Sequence, residues 1–557
     1  MTVRTLVEPV AARARRDPDR HVLTFIDEGG QREHFNAAQL DRGAAAFAAA
    51  LAAVGVAPGD LVIVVLRHSP VLLSAFWGAL YRGAVPSIFP YLTEKLDPQI
   101  YRERIGTLVR HSGARAVITF PEFRGPIEAL LHGASCRVLT ADDLPLDAAR
   151  TWEAAPLSTT AESLAFLQHS SGTTGLQKGV ALSHRAVLRQ IEAYGEAIGL
   201  RDDDVVVSWL PLYHDMGLIA GCVMPIVAGI PLVLMSPFHW VRTPGILLSA
   251  IHEHRGTLCW LPNFAYNHCA LSIRKKDMEG VDLGRLRAVI NCSEPVRHES
   301  HRRFLDRFTP YGLREEALAT CYALAENTFA ATQSPIGRPP RVDWVSRRTL
   351  RETQRAVPCE ASTTEAIAMV SCGIPIPGTQ IDIAGPGGAR LPERCEGEIL
   401  LRSDCLLAEY YRRPDATAEA LRDGWYHTGD MGYLADGELY VSGRRKDLII
   451  VAGKNLYPQD LEAIADGIPG LRPGRSVAFG VPDENLGTEA IVMVCELEAG
   501  EHDRDAIARD LRKRVVQQTE VTLKDVRLVE ERWVVKTSSG KTARADNRAK
   551  YLEGRVG

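Results

Sequence analysis

Residues 170–179 read Ser-Ser-Gly-Thr-Thr-Gly-Leu-Gln-Lys-Gly, a run of hydroxyls and glycines with one lysine near its end. Glycines such as Gly172 and Gly175 let backbone N–H groups approach an anion closely. Ser170, Ser171, Thr173 and Thr174 add side-chain donors, and Lys178 adds positive charge. The set suits a phosphate group. Leu164, Ala165, Phe166 and Leu167 just ahead predict a short buried strand, which puts the loop at a strand end, where α/β sheets bind ligands. It is not the Walker loop, because no Gly-Lys-Ser/Thr closes it. A flexible polar linker is the alternative, and it accounts for neither the lysine nor the strand.

Other elements follow from pattern. Residues 40–54 are Ala/Leu-rich with helical spacing, 61–65 form a β-branched strand, 71–80 an apolar helix and 85–88 another buried strand. Beyond the loop, Val187, Ile191, Tyr194 and Ile198 fall on one helical face, with Gly199 as a stop. Residues 216–235 carry no charge and are long enough to cross a bilayer. Gly217, Gly221, Pro225, Gly229 and Pro231 interrupt them, so a buried helix, a turn and a buried strand over 231–235 are expected instead. Alternating strands and helices predict an α/β protein with mostly parallel sheets covered on both faces. A domain boundary is expected at Gly443-Arg444-Arg445-Lys446-Asp447, between a β-rich run at 438–441 and a new strand at 448–451.

The bulk numbers narrow the classes. A chain of 557 residues permits several domains and a large core. Apolar content of 46% and charged content of 24% are ordinary for a globular protein. A net charge of −4 offers no general attraction for nucleic acid or anionic lipid. The eleven scattered cysteines include no Cys-x-x-Cys pair, which argues against a disulfide framework or zinc site and for a reducing, cytoplasmic setting. Cys222 and Cys292 sit in apolar runs and are expected in the core. The first twenty residues are Arg-rich without a long apolar stretch, unlike a secretory signal.

Five more segments follow the loop: Tyr213-His214-Asp215-Met216-Gly217, Cys321-Tyr322-Ala323-Leu324-Ala325-Glu326, Tyr426-His427-Thr428-Gly429-Asp430, Gly443-Arg444-Arg445-Lys446-Asp447 and Lys536-Thr537-Ser538-Ser539-Gly540-Lys541. Six motifs in this order resemble the adenylate-forming superfamily of acyl-CoA synthetases, peptide-synthetase adenylation domains, luciferases and fatty acyl-AMP ligases, over nearly the whole chain. The resemblance implies a large N-terminal domain, 1–445, of stacked mixed sheets and helices with a small β-rich subdomain. It also implies a small mobile C-terminal α/β domain, 446–557, with its hinge at Lys446.

In such an enzyme a carboxylate attacks the α-phosphate of ATP, and both are anions. The site must neutralise charge, align the attack and hold the leaving pyrophosphate. The loop at 170–179 would bind the pyrophosphate portion; Gln177 stands where proline is common in the family. Glu326 is the expected Mg²⁺ ligand, since Mg²⁺ takes few carboxylates and keeps phosphate oxygens and waters; the alternative is a solvated glutamate. Asp430 would accept from both ribose hydroxyls, presented by a turn at 427–429, or it is simply a turn aspartate. By resemblance Arg444 contacts ribose and phosphate, Tyr322 belongs to the nucleotide site, and Ser293-Glu294-Pro295 lies along adenine, with Cys292 where glycine is frequent. Ala323 replaces a family glycine. Lys541 is placed between carboxylate and α-phosphate, where a compact ammonium offsets converging charge. His214 falls beside the bound carboxylate, unless it is a satisfied core histidine. Leu218, Ile219, Cys222, Met224, Trp260 and Phe264 are candidates for an acyl pocket, or for plain core.

Forty-seven positions separate Glu326 from Gly373, a gap typically shorter in CoA-forming relatives. It holds a polar, proline-flanked connection over 337–364, and long connections in compact enzymes are usually functional or disordered. Its position, and the wording at 261–266, 294–297 and 454–460, resemble the fatty acyl-AMP ligase branch. That branch implies an aliphatic acid activated to acyl-AMP, then passed to the phosphopantetheine thiol of a carrier protein. An acyl-CoA ligase with an unusual loop is the alternative, and a non-catalytic nucleotide-binding protein a third reading.

Overall fold

The computed structural model describes residues 4–91, 98–131, 136–144, 159–169, 178–451, 454–483, 488–519, 521–537 and 540–554. Ser170, Ser171, Gly172, Thr173, Thr174 and Gly175 of the expected phosphate loop lie outside them.

Two large mixed sheets carry most of the chain. The first, nine-stranded among the described residues, has a parallel centre: Leu318–Ala323, Ala288–Asn291, Leu258–Leu261, Val206–Ser208, Leu232–Met235 and His21–Ile26. Antiparallel strands, Ala330–Gln333 and Ile374–Pro375 on one side and Arg32–Asn36 on the other, close its edges. The second is seven-stranded, again with a parallel centre, built on Leu61–Val65. Its strand Leu164–His169 turns antiparallel to Gly179–Ser183, so the loop between them does leave a strand end. "Mostly parallel" is thus right for the sheet centres and wrong at their edges.

Burial explains this arrangement. Leu61, Val62, Ile63, Val64 and Val65 are all nearly inaccessible, as a strand covered on both faces requires. The helices Ala37–Ala53 and Pro70–Tyr81 share a core with Val62 and Val64 on one face, and Ile105, Val109 and Ile127 of the helices Pro98–Ser112 and Pro121–Leu130 share one with Leu61, Ile63 and Val65 on the other. Asn36 caps the first in a reciprocal pair with Gln39, and Ser69 caps the second, with Pro70 at its start. Gly78 lets the two helices touch, since a Cβ there would lie 2.3 Å from Cβ of Phe47. The helix His184–Ala197 matches the expected face, with Val187, Ile191 and Tyr194 buried.

A third, antiparallel sheet contains Thr379–Ala384, Gly397–Ser403, Trp425–Ala435 and Glu438–Arg444. Asp430 therefore sits within a strand and not after a turn. The strand tolerates this because Gly429 takes φ +70° and the ladder shifts register nearby. From Ile449 onward the chain forms a two-stranded and a three-stranded sheet with helices Pro458–Asp466, Arg504–Thr519 and Arg544–Leu552. These pack on their own cores, one around Leu461, Met493 and Leu511, the other around Val477, Val492 and Trp533.

Two elements depart from expectation. Residues 216–223 form a π-helix, continued by the short helix Met224–Ala228, ended by Gly229 at φ +82° and followed by the strand Leu232–Met235. Wider π turns let this apolar segment pack close on the preceding loop. A Cβ on Gly217 would meet the Pro211 carbonyl at 2.3 Å. The connection 337–364 is no open loop either. The strand Val342–Ser346 pairs with Ala366–Val370, and the helix Arg347–Thr353 starts on a Ser346 cap. Val345 and Leu350 bury against Tyr433 and Tyr440, whose rings stack 5.0 Å apart, which explains why a polar stretch folds.

Gly217→Ala is expected to destabilise by ~1–3 kcal/mol, the usual cost of overpacking, and to lower the unfolding midpoint. Gly125→Ala, in helix Pro121–Leu130 where nothing lies within 4 Å of the added carbon, serves as control and should not. Equal midpoints for the two variants would show that the π-helix relaxes freely.

Candidate active site

The site is assembled where the first and third sheets meet the C-terminal portion. Asp430 is buried and accepts from the Tyr322 hydroxyl at 2.6 Å and from Arg444 Nε at 3.1 Å. Its backbone N–H is held by Thr428 Oγ1 at 3.0 Å, and Thr428 Oγ1 in turn bonds the Ile399 carbonyl. Tyr322 comes from the edge of the parallel centre, Asp430 and Arg444 from paired positions on adjacent antiparallel strands. The Asp430 charge holds the Arg444 guanidinium firmly ionised. Burial, then the same charge, pushes the Tyr322 phenol well up, so it remains a donor.

Glu326 sits in the 3₁₀ turn Ala325–Asn327 at the end of its strand. Its Oε1 accepts from the Tyr410 hydroxyl at 2.8 Å, and Tyr410 also bonds Tyr426 at 3.0 Å. Lys178 lies with Nζ 4.7 Å from the centre of the Tyr410 ring, bringing the end of the expected phosphate loop beside Glu326. Desolvation raises the Glu326 carboxyl above its ordinary range. Tyr410 occupies one lone pair and leaves the other oxygen available. Among the described residues no group of three His, Cys, Asp or Glu converges as a metal cage. That donor set fits a hard cation completed by phosphate oxygens and water.

His214 follows the loop that Gly217 packs against. Its Nε2 is buried and has no hydrogen-bond partner among the described residues, so it is not a satisfied core histidine. Burial, reinforced by the Lys541 charge, pushes its imidazole down to about 3. Asp215 caps the π-helix through Met216 N at 2.9 Å; desolvation raises it, and Lys541 opposes the rise. The Lys541 turn is tied by Thr537 N to the Lys541 carbonyl at 2.7 Å and by Lys541 N to Thr537 Oγ1 at 3.1 Å. Next to it, a Cβ on Gly540 would lie 3.2 Å from the Phe264 ring. The C-terminal portion thus brings Gly540 beside Phe264 and the Lys541 charge within reach of His214. Lys446 borders the same cleft, where desolvation and then Arg444 lower its ammonium.

Ser293, Glu294 and Pro295 follow the strand Ala288–Asn291. Ser293 holds φ +68°, an uncommon conformation for a residue with a side chain, and Glu294 accepts from Phe264 N at 2.9 Å. Pro295 is exposed. Cys292 is buried, with Sγ 2.9 Å from Met216 Sδ. Leu218, Ile219, Cys222, Met224 and Trp260 are all core residues, and Trp260 Nε1 is spent on Tyr194 at 2.8 Å. Of the six acyl-pocket candidates Phe264 alone is only partly buried. Tyr410 and Asp215 were not assigned from sequence. Asp215 stood in a quoted motif, whereas Glu409-Tyr410-Tyr411 has no spacing that marks it.

Residues 10–411 match the AMP-binding enzyme family. The chain belongs to that family and is an adenylate-forming ligase by fold and site. It is 31% identical, over 93% of its length and 91% of the relative's, to a Caulobacter vibrioides protein provisionally named an acyl-CoA synthetase. It is 29% identical, over 99% and 95%, to the medium-chain-fatty-acid–[acyl-carrier-protein] ligase JamA of Moorena producens. A solved structure from work on fatty acyl-adenylate ligases of E. coli and L. pneumophila superposes with a TM-score of 0.90 at 28% identity, covering 99% of this chain and 98% of that one. No helix among the described residues is long and apolar enough to cross a membrane.

His214 should remain neutral throughout about pH 5–8, where an ordinary histidine titrates. Selective imidazole labelling and NMR would detect this. In Lys541→Ala the midpoint should rise, because a repelling cation is gone, yet stay below the ordinary value, because burial is the larger cause. An ordinary midpoint in the unaltered protein would place His214 in water.

Proposed function

We propose that this enzyme joins a fatty or other aliphatic carboxylic acid to AMP and then delivers the acyl group to the phosphopantetheine thiol of a carrier protein. The observation that carries the reading is the convergence of Lys178, Glu326, Asp430, Arg444, His214 and Lys541 on one cleft. The likeness to fatty acyl-adenylate ligases and to JamA supports the acid and the acceptor. Eleven free cysteines suit the reducing cytoplasm.

In the first step a carboxylate oxygen bonds the α-phosphorus and the bond to pyrophosphate breaks. Lys541 sits between the two anions and offsets their charge as they converge. His214, neutral, donates to or shapes the carboxylate pocket without adding a second cation. Lys178, with residues 170–175, holds the leaving pyrophosphate. Asp430 accepts from the ribose hydroxyls, Arg444 spans ribose and phosphate, Tyr322 fixes Asp430, and Ser293, Glu294 and Pro295 border adenine. Glu326 would hold Mg²⁺, which when bound neutralises phosphate charge. In the second step the thiol sulfur bonds the acyl carbon and AMP leaves. We assign 1–445 and 446–557 as the two moving bodies, with Lys446 as hinge, so that Lys541 withdraws before transfer.

Lys541→Ala should slow pyrophosphate release from ATP and acid by about 10²–10³, the usual cost of one preorganised charge at a reacting centre, with ATP binding nearly intact by calorimetry. Near-normal release would assign the charge role elsewhere. Glu326→Gln should raise the Mg²⁺ concentration needed for half-maximal rate. The sign with pH is fixed: a carboxyl raised by burial takes up a proton sooner as pH falls, so Mg²⁺ demand should climb on acidification in the natural enzyme and stay flat in the variant.

The folded connection 337–364 bears on the acceptor. Arg347 donates to the Gln518 carbonyl at 2.9 Å and Arg351 to that of Thr519, at the C-terminal end of helix Arg504–Thr519, where cations are favoured. We assign it as a restraint on reorientation that carrier docking overcomes and free CoA does not, since a ligand shifts an equilibrium only by its differential affinity. Arg347→Ala with Arg351→Ala should keep acyl-AMP formation and let CoA accept the acyl group. Strong acyl-CoA formation by the natural enzyme would overturn the assignment and favour an acyl-CoA ligase, the reading that the Caulobacter relative's name supports.

A further inference from the structure

His68, just after the strand Leu61–Val65, has no part in the chemistry above. It is 9% exposed, its ring lies 6.3 Å from that of Phe25, and its Nε2 has no hydrogen-bond partner among the described residues. It lines a small, partly open cavity with Leu72, Ile88, Tyr91, Leu212, Tyr213 and Phe238, leaving about 10 Å³ for the centre of a water-sized group. The other walls are aliphatic and aromatic side chains, two of them the tyrosines Tyr91 and Tyr213. Tyr213 forms one of them, and its ring packs 4.8 Å from that of His214. The cavity therefore lies directly behind the residue that borders the carboxylate end of the cleft.

Other unpartnered donors gather on the same two segments. Trp209, five residues before His214, stacks on Trp240 with ring centres 3.6 Å apart, and Trp240 shares a helix with Phe238. Both indole Nε1 atoms are buried without a partner among the described residues. Leaving such groups unpaired is unfavourable unless a ligand or water meets them.

We propose that this cavity is a specificity subsite for a hydroxyl carried on the acyl chain, so that the preferred substrate class is hydroxylated carboxylic acids. The proposal rests on the acid-activating reading above. A hydroxyl both donates and accepts, so it satisfies a neutral imidazole in either tautomer, and its single oxygen matches the available space. A second carboxylate would need a protonated partner, and burial keeps His68 neutral by pushing it down to about 3.

The test compares an unsubstituted fatty acid with isomers hydroxylated at successive carbons and with a phenol-ended chain. Pyrophosphate release is measured for the natural enzyme, His68→Leu and His68→Asn, and acid binding without ATP by calorimetry. One hydroxylated isomer, aliphatic or phenolic, should exceed its parent in kcat/KM by roughly tenfold, the worth of one well-made hydrogen bond. His68→Leu should bring that ratio near one, and His68→Asn should keep part of it. A parent acid that matches or beats every hydroxylated one, or a ratio unmoved in His68→Leu, would overturn the proposal and leave a cavity for water only. Should no acid release pyrophosphate, the activation reading falls, while the calorimetric order of binding still decides the subsite.

Discussion

The bond from the Tyr322 hydroxyl to Asp430 joins two structures that otherwise have separate reasons to exist. Tyr322 belongs to the strand Leu318–Ala323 of the large sheet, and Asp430 to the antiparallel sheet. The bond fixes the angle between them. On the neighbouring strand the same carboxylate fixes Arg444, two residues before Lys446. A buried aspartate is costly unless paired and hydrogen-bonded. Here the carboxylate gains a phenol and a guanidinium while Thr428 holds the backbone N–H, so the large sheet and the antiparallel sheet are joined through one paired group.

Charge is distributed around that anchor by burial more than by count. Glu326 and Asp215 are raised by desolvation, and His214 is driven neutral beside Lys541. Arg444 is held ionised by Asp430, while the carboxyls of Glu326 and Asp215 and the imidazole of His214 are pushed toward their neutral forms. This suits chemistry in which two anions must meet. A protonated imidazole next to Lys541 would gain Coulomb attraction for the carboxylate but would pay a large desolvation cost.

Much of this was legible in the sequence where one local signal decides the outcome. The β-branched run at Leu61–Val65 is the expected strand, and the helices expected over 40–54 and 71–80 start three residues and one residue earlier, at Ala37 and Pro70. The π-helix was not legible, because the close fit of Gly217 to the Pro211 carbonyl is a tertiary contact. Nor was the folding of 337–364, which depends on Tyr433 and Tyr440 almost ninety residues on. Asp430 read as a turn residue because His427-Thr428-Gly429 has turn composition, and the strand absorbs it through one positive φ. Of the site, the charged members stood in quoted motifs. Tyr410, which links Lys178 to Glu326, did not, since an isolated tyrosine carries no periodicity.

The junction between the C-terminal portion and the rest is polar and sparse. Arg297 reaches the Gln459 carbonyl at 3.0 Å and Asp460 at 3.5 Å, Gln459 the Ser442 carbonyl at 2.8 Å, and Tyr457 Glu396 at 3.3 Å, with Arg347 and Arg351 on the end of helix Arg504–Thr519. The one exposed ion pair among them, Arg297 with Asp460, contributes about 0–1 kcal/mol, and the bonds of Gln459 and Tyr457 are half-buried hydrogen bonds. Their sum holds one arrangement without locking it, and water can replace every partner when they part. An apolar seam of the same extent would expose its area on opening at ~25 cal/mol per Å². A polar seam therefore parts at less cost than an apolar one and leaves the bonds that anchor Asp430 intact.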